Sequence, residues 1–120
     1  RDAIASMIDI YGGAGVFASW PQRARDYAIE ATPFNILDWV SAYGFQLTPY
    51  SLAILEIPTL VLWGGESHPA VRRANELIGH CMIRPRVVTI PGAAHFMIST
   101  HAREVAGAIA QHVVAVEEKI

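Results

Sequence analysis

One histidine of the five stands apart by its setting. His95 lies in the stretch Pro-Arg-Val-Val-Thr-Ile-Pro-Gly-Ala-Ala-His-Phe-Met, residues 85–97. Residues 86–90 are rich in β-branched side chains, which favour a pleated, packed surface. Pro91 and Gly92 stop that run, and Ala93 and Ala94 lead to the imidazole. The pattern predicts a strand that ends and hands His95 to a loop of small residues. In an open α/β sheet, ligands bind at that edge. A neutral imidazole placed there takes a proton from a nucleophile and returns it to a leaving group. The competing reading is a hydrogen-bonded structural histidine beside a strand.

The partners such a histidine needs are incompletely supplied. The six serines, at positions 6, 19, 41, 51, 67 and 99, all lack a Gly-x-Ser-x-Gly setting after a strand. The Gly-Gly-Ala-Gly run at 12–15 follows a predicted helix and lacks the Lys-Ser/Thr of a phosphate loop, so it reads as a break. Cys81 is the only cysteine, and neither Cys-x-x-Cys nor His-Glu-x-x-His occurs. An internal disulfide is therefore excluded, a metal site is not expected, and a reducing, cytoplasmic setting is. Net charge is -2 with no basic cluster, which speaks against nucleic acid and anionic lipid as partners. No apolar run reaches the roughly 18 residues of a membrane span. No signal peptide opens the chain, and Arg1 in place of Met points to a piece of a longer protein.

The elements that would position His95 follow from periodicity. Ile4, Ile8 and Tyr11 predict a helix over 2–11. Pro21 opens a second helix reaching 31, Pro33 separates it from a third over 34–43, and Gly44 sits as its C-terminal glycine. Thr48 and Pro49 start one more short turn, through 55. This half carries Phe17, Trp20, Phe34, Trp39, Tyr43 and Phe45, enough for a small aromatic core or a lid over an apolar pocket. The character changes at Ile57. Residues 58–63 form a continuous apolar run, the mark of a parallel strand covered on both faces. A helix over 69–78, capped by Ser67 or His68, leads to the strand at 86–90. Strand, helix, strand is a right-handed βαβ unit. A last helix over 101–116, capped by Ser99 or Thr100, packs back on the sheet with Val105, Ala108 and Ile109.

At this point the chain resembles a known family. Ile-Pro-Thr-Leu-Val-Leu-Trp-Gly-Gly-Glu-Ser, a Pro-started helix, and then residues 86–113 with the Pro-Gly-x-x-His stretch are similar to the C-terminal part of an α/β-hydrolase. The likeness spans residues 56–116; residues 2–55 share only the character of the family's inserted helical cap. It implies an α/β fold: a helical cap or lid over residues 1–55, then a β-α-β-α portion of the core over 56–120 with parallel strands. It implies that His95 is the triad histidine and that an acid follows the first strand. Ser67 stands at the usual Asp position, and Glu66 is the nearest carboxylate and the expected acid. Some family members carry the acid one strand earlier, before Arg1. Phe17, Trp20, Phe34, Trp39, Phe96 and Met97 are the expected substrate contacts.

The implied activity is serine-type hydrolysis of a small, largely apolar ester or related substrate, without a cofactor. The nucleophile is absent from this chain, so the fragment alone is expected to be inactive. An upstream Asp in the nucleophile position would instead imply dehalogenase or epoxide hydrolase chemistry. A non-catalytic hydrolase-like binding module, or a cofactor-free oxygenase or lyase of the same fold, are the alternatives. The expected partners are the missing N-terminal half of the same protein or a second copy, a homodimer pairing along an exposed sheet edge. His95 should sit at the C-terminal edge of its strand and face the aromatic cap, with the Glu66 carboxylate within about 3 Å of a ring nitrogen.

Overall fold

A computed structural model describes residues 2–118. The chain forms two compact units, Arg1–Leu47 and Thr48–Ile120. The division falls earlier than the cap boundary expected at residue 55, because the short helix after Thr48 packs with the second unit.

The first unit is helical. α1 (Asp2–Gly12) buries Ile4 and Ile8, one turn apart, and carries Asp2 in its first turn, where a carboxylate complements the helix dipole. Gly13 and Gly15 turn the chain at φ +110° and +80°, a region that other residues enter only at a cost. The Asp9 carboxylate accepts the Phe17 backbone N–H at 2.8 Å and so fixes the entry to α2 (Val16–Ser19). α3 (Gln22–Gly44) follows, tied back by the Arg25 guanidinium, which donates to the Ala18 carbonyl at 2.7 Å.

α3 corrects the sequence expectation. Pro33 does not separate two helices; it lies inside one. Proline lacks an N–H and so removes one bond of the helical ladder, the one to the Ile29 carbonyl. The turns on either side are long enough to carry the interruption. The Thr32 hydroxyl also donates to the Ala28 carbonyl at 2.9 Å, adding a side-chain bond where the ladder is weakest. Most of the apolar row beyond Pro33 is open: Phe34 is 70% exposed and Tyr43 78%.

The second unit is a two-stranded parallel sheet with helices around it. α4 (Pro49–Ala53) opens with a reciprocal cap: the Thr48 side chain accepts the Ser51 N–H at 3.1 Å, and the Ser51 side chain accepts the Thr48 N–H at 2.9 Å. Helix proper ends at Ala53, two residues short of the expected 55. β1 (Leu60–Gly64) begins two residues later than expected, α5 (Pro69–Cys81) runs three longer, and β2 (Arg86–Ile90) matches. The strands pair in register from Leu60↔Arg86 to Gly64↔Ile90. β1 buries Val61 and Trp63, whereas β2 leaves Val87 and Thr89 exposed. One face of β2 is therefore open, whereas β1, the strand expected to be covered on both faces, is buried or half-buried at every residue. α6 (Met97–Thr100) and α7 (Ala102–Glu117) close the unit. Neither Ser99 nor Thr100 caps α7. His101 holds that position without a side-chain cap bond, because the Thr100 hydroxyl is already engaged with the His101 Nδ1 at 2.9 Å. Ile90, Ala93 and Val105 form the core here, with Leu62, Val88 and Met97 packed against them. Full burial of a side chain the size of Ile90 or Val105 contributes roughly 1.5–3 kcal/mol.

Candidate functional site

Both strands end together, at Gly64 and Ile90, so the two segments that follow leave the same C-terminal edge of the sheet. Backbone bonds then join them. Gly65 N–H donates to the Ile90 carbonyl at 2.9 Å, and Glu66 N–H donates to the Ala93 carbonyl at 2.8 Å. A 3.0 Å bond from Ser67 N–H to the Gly64 carbonyl closes the first loop. Gly92, at φ +71°, makes the turn in the second. Gly64 makes the junction possible: a Cβ there would overlap the Ala93 carbonyl oxygen and lie 2.6 Å from that of Ala94. Ala93 is fully buried against this junction.

His95 stands two residues past Ala93, exposed, on the loop leaving the C-terminal end of β2. Its ring meets the Phe96 ring edge-on, with centroids 5.5 Å apart. Glu66 occupies the facing loop and is also exposed. Among the described residues its carboxylate takes part in no hydrogen bond or ion pair, so the bond expected between Glu66 and His95 is not formed here; the two loops meet through backbone instead. Ser67 has the more unusual environment. It is 3% exposed, and its hydroxyl has no hydrogen-bond partner among the described residues. A buried hydroxyl left unpaired costs about 1–3 kcal/mol. Sequence reasoning placed Ser67 where an acid usually stands but had no means of reading its burial. His68 Nδ1 accepts the Ala70 N–H at 3.2 Å, the helix-entry role expected of it. His101, half-buried, brings Nε2 to 4.0 Å from where a Gly92 Cβ would lie, so a second imidazole borders the loop of His95.

The expected substrate contacts divide among several settings. Phe17 is buried in the first unit, 6.3 Å from the half-buried Trp20 ring. Phe34 is exposed. Trp39 stands between Tyr11 and Tyr43, at centroid distances of 6.0 and 5.7 Å, and lines an open apolar groove of about 590 Å³ between α1 and α3. In the second unit Met97 packs on the core and Phe96 is half-buried. Among the described residues no three His, Cys, Asp or Glu side chains come together to hold a metal, and no helix is long and apolar enough to cross a membrane.

No family model, curated protein or solved structure matches the chain.

Proposed function

We propose that this chain is the C-terminal portion of an α/β-hydrolase acting on a small, largely apolar ester, with His95 as its general base and acid. One observation carries the reading: two parallel strands end in hydrogen-bonded loops, and one of these loops presents an exposed imidazole at the C-terminal edge. Ligands of open α/β sheets bind outside that edge. In the proposed reaction His95 takes the proton of a nucleophile supplied from outside this chain and returns it to the leaving alcohol. Glu66, exposed on the joined loop, is the group proposed to orient the imidazole. Phe96 and Met97, which follow His95 in the same unit, are the apolar side chains proposed to meet the acyl or alcohol part. The nucleophile comes from an N-terminal half of the same protein. The unpaired Cys81 supports a reducing, cytoplasmic setting.

The test is hydrolysis of p-nitrophenyl esters of increasing acyl length by the complete gene product containing this chain. His95→Gln is expected to lower kcat/KM by about 10³-fold or more. Turnover at the unsubstituted rate in that variant overturns the assignment. Glu66→Gln with undiminished turnover, beside an inactive His95→Gln, moves the acid elsewhere.

A second reading, a non-catalytic module of the same fold, is favoured by Ser67, which fills the acid position with a buried hydroxyl rather than a carboxylate. It predicts no ester turnover by the complete gene product at all.

A further inference from the structure

The opposite end of the strands carries a separate cluster. Thr59, just before β1, accepts the N–H of Arg86, the first residue of β2, at 2.8 Å. Beside this junction lies a cavity of about 500 Å³ lined by Pro58, Arg84, Arg86, His112, Ala115 and Val116. Its wall is mostly apolar, and no carboxylate lines it. Among the described residues the ion pair formed is Arg73–Glu76 at 3.4 Å, so neither Arg84 nor Arg86 has a carboxylate within 4.0 Å. Glu56 lines a neighbouring hollow together with Arg84, and Glu117 and Glu118 end α7; among the described residues none pairs with an arginine within 4.0 Å. One guanidinium nitrogen of Arg86 donates to Gln111 Oε1 at 2.7 Å, which fixes the side chain and leaves its other N–H groups available.

Two features argue against a merely solvated basic surface. The lining of the cavity itself carries two full positive charges and no carboxylate, and the C-terminal end of α7 offsets only about half a charge of them. Arg84 also has φ +50°, the left-handed region that non-glycine residues rarely adopt, immediately before Pro85, which narrows its conformations further. A strained residue that offers a charge to a cavity signals use rather than packing.

We infer that this cavity binds an amphiphilic anion: an oxyanion headgroup, carboxylate or phosphate, held by Arg84 and Arg86 with His112 beside them, on a short apolar body against Pro58, Ala115 and Val116. The site lies at the N-terminal end of the strands, so it stands or falls independently of the hydrolase reading.

Calorimetric titration of the chain with octanoate, octyl phosphate, octanol and inorganic phosphate tests it. Saturable one-to-one binding is expected for at least one of the two amphiphilic anions, and which of them binds tighter identifies the headgroup. Octanol and inorganic phosphate should bind at least about tenfold more weakly, since each lacks one half of the recognition. Arg86→Gln and Arg84→Asn should each weaken the anion about tenfold or more. Asn tolerates a left-handed φ, so the second variant keeps the fold, which its melting curve verifies. No saturable binding of either amphiphile overturns the proposal. So does octanol or inorganic phosphate binding as tightly as the amphiphiles, or unchanged affinity in both arginine variants with melting preserved.

Discussion

Gly64 decides more than any charged residue near it. Its Cα hydrogen faces the carbonyls of Ala93 and Ala94, and backbone cannot move aside as a flexible side chain would. Gly64→Ala is expected to cost about 3 kcal/mol or more, at the upper end of what overpacking does, because the loops must part to admit one methyl. Chemical denaturation of the variant beside the parent measures it; a loss under roughly 1 kcal/mol would show that the junction yields. The site was legible in the sequence only in part. His95 could be placed because Pro91 and Gly92 end a β-branched run just before it. The relation between Glu66 and His95 could not, because it depends on the side-chain rotamer of an exposed glutamate, which local sequence does not set. Ser67 was visible as a departure in residue type, whereas its burial is a matter of tertiary packing that local sequence does not show.

At the level of elements, punctuation by proline was reliable for strands and misleading for helices. β2 begins after Pro85 and ends before Pro91, and its five residues were readable to the end. Pro33 looked the same in the sequence and had the opposite outcome, because a helix with several intact turns on each side survives the loss of one bond. Pro33→Ala is therefore expected to restore the N–H to the Ile29 carbonyl and to stabilise α3 by about 1–3 kcal/mol. Circular dichroism should show unchanged or higher helicity with a raised melting temperature. A lowered one would mean that the bend at Pro33 is required by packing. The lengths of α4 and α5 were less legible, since helix ends depend on which carbonyls find partners beyond the periodic residues.

For the molecule as a whole, the exposed apolar surface is the main fact. The second half of α3 leaves Phe34, Leu37 and Val40 open; α7 leaves Ile109 and Val113; β2 leaves Val87. A two-stranded parallel sheet also has unpaired backbone groups along both outer edges, which template pairing with another strand. The chain by itself is expected to self-associate at micromolar concentration and to bury more than about 2,000 Å² in total, as obligate interfaces do. Sedimentation velocity decides this, and a stable monomer there would show that these surfaces need no cover. The joined loops at Gly64 have a practical consequence for anyone reshaping the molecule. Because backbone hydrogen bonds and the close approach at Gly64 lock residues 65–68 to residues 90–94, neither loop is an independent module. A library or graft that varies one of them while ignoring Ala93 and Ala94 samples mostly misfolded chains, and any exchange with another scaffold has to move both loops, and the glycine between them, as one cassette.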